Sequence, residues 1–158
     1  MKGTVRARRP ASVIVALAAL AVVIAVQLAL ALLVARAGTA IGWGQFLFAA
    51  VVAVVLLVEL ARRSRLAWLW GRHLAFVLAA LETAALAIGL LRRELSWSQA
   101  AIGFGGLALP LLVVSVALSR SAAFAHYDLV CPACGSRTSL GATFLFRQAR
   151  CRSCDNVW

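Results

Sequence analysis

Acidic side chains are scarce in this chain: five Asp and Glu stand against sixteen Lys and Arg in 158 residues. Outside the segment 127–158 the only carboxylates are Glu59, Glu82 and Glu94, so a hydrolytic active site is hard to assemble. A phosphate-cradling Walker loop, a dinucleotide-binding glycine fingerprint, an H-E-x-x-H pair and a serine elbow are all absent. Without them the common nucleotide-dependent, metalloprotease and serine-hydrolase chemistries have no residues to run on, and a non-enzymatic protein is expected. No convincing internal repeat is present, which leaves an inverted-repeat transporter without its usual support. Charge of either sign makes up only 13% of the residues, and that poverty excludes an ordinary soluble domain.

What fills the chain instead is hydrocarbon. Hydrophobic residues make up 64% and mean hydropathy is +0.96, so the solvent for most of the chain is expected to be a lipid bilayer. Ala11 to Ala35 are 25 consecutive uncharged residues, and about 20 suffice to cross a bilayer core. That run is too long for the apolar segment of a cleaved signal peptide, so a retained anchor is expected. Further spans fall before Glu59, across Glu82 and after Glu94. The sequence therefore predicts an all-α membrane protein with four transmembrane helices at about 11–35, 41–61, 70–91 and 99–119. A basic tail, 1–10, precedes the bundle, 11–120. Residues 66–71 either extend the third helix or lie as an interfacial turn. Gly103, Gly105, Gly106 and Pro110 interrupt the fourth span, which a membrane helix tolerates.

The net charge of +11 reads first as topology rather than as a nucleic-acid footprint. Lys2, Arg6, Arg8, Arg9, Arg62, Arg63, Arg65, Arg72 and Arg120 flank one side of the four crossings, and Arg36, Arg92 and Arg93 the other. Nine against three places both termini in the cytoplasm of a cell (inner or plasma) membrane. Trp43 and Trp97 then fall at the outer interface and Trp68 and Trp70 at the inner, as aromatic belts require.

All four cysteines lie in the last 28 residues, as two C-x-x-C pairs, Cys131/Cys134 and Cys151/Cys154, with sixteen residues between them. Two residues between cysteines let a tight turn aim both sulfurs at one ion, so the spacing reads as a metal site. Gly135 supplies the positive φ such a turn needs, and Asp155 holds the equivalent place in the second pair. Residues 142–147 are rich in strand formers, and 127–130 reads as a short lead-in strand. Here the chain resembles the zinc-ribbon superfamily, with rubredoxin-like knuckles: Cys131-Pro132-Ala133-Cys134-Gly135, a hairpin, a second Cys-x-x-Cys knuckle and a following aromatic, Trp158. The resemblance covers 127–158 and nothing upstream. It implies a small β ribbon holding a metal, but no single activity.

Structural Zn²⁺ with four thiolates is the leading reading of the cysteines. Iron in the same sulfur geometry is the alternative, and disulfides come third because a cytoplasmic site keeps thiols reduced. Closed four-thiolate coordination leaves no place for an activated water. Counting charge over 127–158, a zinc-loaded ribbon is near neutral, so a purely electrostatic nucleic-acid grip is not favoured, although Arg147 and Arg150 remain candidate contacts.

Within the bilayer, Glu82 sits near the middle of its span, too deep to reach either headgroup layer. It shares a helix face with Ala75, Ala79, Ala85 and Gly89, and Gln27 in the first span is a candidate partner. Its role is either a proton or cation site or a plain interhelical hydrogen bond. Ala21, Ala25 and Ala29 form a small-residue row suited to helix contact or homo-oligomer formation. Three functions follow: a cytoplasmic zinc ribbon as a protein-docking or regulatory module, a small transporter or complex subunit using Glu82, and a membrane-tethered nucleic-acid-binding ribbon.

Overall fold

The computed structural model describes residues 9–36, 43–137 and 150–158. Four long helices, α1 (Ala11–Arg36), α2 (Trp43–Ala61), α3 (Arg65–Leu91) and α4 (Trp97–Leu118), are each long and apolar enough to cross a membrane. A short α5 (Ser121–His126) follows. The helix starts are written in the sequence as caps. Ser64 accepts the Ala67 amide at the head of α3, and Ser96 with Gln99 forms a reciprocal capping box at the head of α4. Residues 66–71 therefore belong to α3.

Phe104–Ala108 forms a π-helical turn inside α4, where Leu109 N–H reaches back five residues to the Phe104 carbonyl. Pro110 is the physical reason. It has no N–H to donate, and its ring crowds the preceding turn, so the helix widens where glycines make widening cheap.

α1 packs closely against α2 on one side and α4 on the other, and α3 packs against α4. The core stripe of α1 is Val13, Ala16, Leu20 and Val23, spaced three and four apart. On α3 the stripe is Trp68, Gly71, Ala75 and Ala79. α2 and α3 follow one another across a tight turn yet touch only sparsely, meeting where Gly71 admits the Leu56 side chain. The Ala21, Ala25 and Ala29 row lies on the exposed side of α1, so it takes no part in packing this bundle. Gly103 and Gly106 do approach other helices closely, facing Leu86 and Val26 respectively.

The tryptophans divide. Trp43, Trp70 and Trp97 are exposed, as belt residues should be, but Trp68 is 2% exposed. Its face of α3 points at α4, where its indole N–H donates to the Leu118 carbonyl at 2.9 Å. That carbonyl has no partner within its own helix end, and the indole satisfies it.

No strand occurs among the described residues. Residues 127–130 are not a lead-in strand: Leu129 N–H closes the end of α5 on the Phe124 carbonyl, and Tyr127 and Asp128 turn the chain, Asp128 at φ 53°. Only Val130 pairs, in a single antiparallel bridge with Arg137. The expected hairpin at 142–147, including Arg147, lies outside the described residues.

Candidate metal centre

Two short turns build the site, and they repeat one another at an offset of twenty residues. In the first, Cys131 N–H donates to the Ser136 carbonyl, Gly135 N–H to the Cys131 carbonyl, and Val130 bridges Arg137. In the second, Cys151 N–H donates to the Asn156 carbonyl, Asp155 N–H to the Cys151 carbonyl, and Arg150 bridges Val157. Both turns close through a residue with positive φ, Gly135 at 71° and Asp155 at 56°. Each turn buries its first cysteine, Cys131 and Cys151, and leaves its second, Cys134 and Cys154, exposed.

The four sulfurs lie within 4.8 Å of one another. Cys131 Sγ is 3.6 Å from Cys154 Sγ, and Cys134 Sγ is 3.5 Å from Cys151 Sγ. Those separations are far beyond a disulfide bond, and all four cysteines are free. A tetrahedral ion with metal–sulfur bonds of about 2.3 Å would hold its sulfurs roughly 3.8 Å apart. The two close pairs come within a few tenths of an ångström of that, so the residues fit a tetrathiolate metal.

Ser136 joins the turns, and sequence reasoning missed it. Its hydroxyl lies 3.1 Å from Cys134 Sγ and 3.0 Å from Cys151 Sγ. The available signal was its place two residues after the second cysteine of the first knuckle. Its hydrogen bond is the main reason the Cys151 thiol is pulled down to about 6, against the opposing effect of burial and with help from the Ser153 and Cys154 amides. Ser136 likewise lowers Cys134. At Cys154 the Asn156 amide favours the thiolate, but the Cys134 sulfur, burial and the remaining sulfurs outweigh it and push that thiol up to about 12. Four adjacent sulfurs cannot all be anions unless a cation sits among them, and a bound dication would take the place of the retained protons.

The site is fastened to the bundle. Trp158 Nε1 donates to the Asp128 carbonyl at 3.0 Å, closing the second turn onto the segment that leads into the first. Buried Tyr127 donates its hydroxyl to the Leu60 carbonyl near the end of α2 at 3.2 Å. Phe124 packs edge-on against Trp68 with centroids 4.8 Å apart, and the Arg137 guanidinium lies 4.9 Å from the Phe124 ring centre. Arg9 reaches the Ala61 carbonyl at 3.3 Å, so the first described residue sits at the same end. Burial pushes the Tyr127 phenol up to about 12, with Arg9 and Arg63 opposing.

Of the other sequence candidates, Arg150 pairs with Asp155 at 3.1 Å, with both side chains mostly in solvent. Neither of the two histidines, His73 and His126, belongs to the sulfur cluster. Glu82 and Gln27 line one cleft far from the cysteines, and no hydrogen bond joins them; Gln27 Oε1 is buried without any partner. Ala75, Ala79 and Gly89 on the Glu82 face are buried, whereas Ala85 is exposed. Comparison with protein-family models, curated proteins and solved structures returns no match for this chain. The chemistry of the site therefore stands on its own geometry.

Proposed function

We propose that this protein is a multi-pass membrane protein of the cell membrane that holds a structural Zn²⁺ on Cys131, Cys134, Cys151 and Cys154 and presents that module to the cytoplasm for docking or regulating another protein. The observation that carries the reading is the attachment of the cysteine turns to the end of the bundle. A module on a loose tether would need no indole bridge from Trp158 to Asp128 and no phenol anchor on Leu60. Held this way, the tips at Pro132-Ala133 and Arg152-Ser153, all exposed, project a fixed surface. Four thiolates close the coordination shell, which suits a structural ion rather than a reacting one. Arg152 and Asp155 stand where the second knuckle of a rubredoxin-like site would carry Pro and Gly, and that departure favours zinc over iron. The division into a basic tail, bundle and zinc-ribbon-like module belongs to the same reading, as does the cytoplasmic side, which rests on the arginine asymmetry.

The test uses one gently solubilised preparation. Metal analysis should return one Zn²⁺ per chain, and an iron-sulfur-thiolate absorption spectrum would reject zinc. Copurification should recover a protein partner that is lost in the Cys151→Ser/Cys154→Ser variant; a partner indifferent to that change rejects docking through the module. A reporter fused after Trp158 should be active only on the cytoplasmic side.

A further inference from the structure

The sparse contact between α2 and α3 leaves a cleft of about 450 Å³ within the membrane-spanning part of the bundle. Its walls are almost wholly aliphatic, and Phe48, Val52 and Leu78 on its lips are themselves on the outer surface, so it opens sideways between the two helices. That volume is within the range of small-molecule sites. Two polar side chains line it, Gln27 and Glu82, and no basic residue does. Gln27 lies nine residues before the end of α1 at Arg36, and Glu82 nine before the end of α3 at Leu91. Each is therefore about 13 Å from the C-terminal end of its own helix, and both line the same cleft. From Leu74 to Glu82 the α3 wall spans about 12 Å, so the cleft is a slot with an aliphatic end and one polar end.

The polar end holds an acceptor that no protein donor reaches. Gln27 Oε1 is buried with no hydrogen bond. The Glu82 side chain makes no hydrogen bond or ion pair with any described residue, and Gln27, which lines the same cleft, does not engage it. A carboxylate at this depth calls for a counter-charge, and an orphaned amide oxygen calls for an N–H or O–H. An ammonium with at least one N–H meets both demands. The aliphatic slot beside it calls for a slender hydrocarbon chain.

We propose that this cleft binds a lipophilic ammonium ion from the bilayer, with its N–H groups on Glu82 and Gln27 and its chain between α2 and α3. The site is independent of the cysteine centre, and binding there requires no change in the metal module. Decylammonium is a suitable probe, because its extended length matches the slot. Decyltrimethylammonium keeps the charge without an N–H, and decanol keeps a donor without the charge.

The measurement is binding of each probe to the full metal-loaded chain in phosphatidylcholine nanodiscs, after subtraction of uptake by protein-free discs. Decylammonium should show a saturable component of one equivalent, while decanol and decyltrimethylammonium follow the protein-free discs. Glu82→Gln should weaken decylammonium binding about tenfold or more, because a buried charge partner is lost, and Gln27→Leu by several-fold. Leu78→Trp, which fills the slot from its exposed lip, should abolish the saturable component with helical content and metal retained. It keeps the test decisive should Glu82→Gln fail to fold. Saturable decanol or decyltrimethylammonium binding as tight as that of decylammonium overturns the proposal. So does a folded Glu82→Gln or Leu78→Trp variant that binds like the parent, or the absence of any saturable component.

Discussion

Gly135 and Asp155 occupy corresponding points of the two cysteine turns, both in the left-handed region, and they make the backbone requirement of the site measurable. A Cβ added at Gly135 would meet no atom within 4 Å, so the cost of Gly135→Ala is conformational alone. That cost is about 1 to 2 kcal/mol, or roughly five- to thirtyfold in metal retention. Competition with a chromophoric chelator should register it, and Gly135→Asn should lose less, since asparagine visits this region more readily. Tyr127 offers a second residue-level test, because it is the only tyrosine in the chain and its ionisation can be followed by absorbance. Its phenol titrates near 10 when unfolded and about 12 when folded. The folded state thus holds the proton more tightly. The stabilising effect is complete below pH 10 and is lost as pH rises through 12. Tyr127→Phe should flatten this alkaline decline while costing on the order of 1 kcal/mol at neutral pH, because the bond to the Leu60 carbonyl is gone.

At the level of elements, the seam between α3 and α4 depends on small side chains in the distorted part of α4. An added Cβ at Gly103 would come within 2.9 Å of Leu86 Cδ2, whereas one at Gly105 would meet nothing within 4 Å. Gly103→Val should therefore destabilise the bundle by about 1 to 3 kcal/mol through overpacking, and Gly105→Val by much less. Thermal unfolding in detergent, followed by near-ultraviolet circular dichroism, distinguishes the two. Equal losses would mean that helix propensity, not the seam, governs both. The glycines and Pro110 were visible in the sequence as weak points, yet the π turn was not, because where a proline's strain goes depends on the neighbours. The four long helices were legible for a simple reason: lipid demands about 20 apolar residues per crossing, and that demand is local. Helix faces were not legible. A span surrounded by hydrocarbon is apolar all round, so the 3.6-residue contrast that marks an inward face in water is erased. That is why the sequence could not tell that Ala21, Ala25 and Ala29 face outward and Trp68 inward.

For the whole molecule, the consequential join is between the cysteine turns and the end of the bundle. Removing the metal should free the four thiols for alkylation and expose the chain around Arg137 and Arg150 to trypsin, as a module this small lacks the buried surface to hold its shape alone. The helices should survive, because their backbone hydrogen bonds are internal and lipid offers no competing partner. Unchanged far-ultraviolet circular dichroism alongside faster proteolysis is the expected result of chelation. A concerted loss of helix would instead mean that Trp158, Tyr127 and Phe124 transmit the collapse into α2 and α3.

The residue order alone determined the apolar runs, the arginine imbalance between the two sets of loops, and the paired cysteines with a glycine after the first pair. Each of these is carried by neighbours in the chain, so no fold is needed to read it. Tertiary structure decided the rest. It brought Ser136 between two sulfurs, hung the second turn on Asp128 through Trp158, and opened a slot between α2 and α3 lined by both Gln27 and Glu82. Those relations join residues from different helices or turns, and only the packing angles between elements set the distances across them.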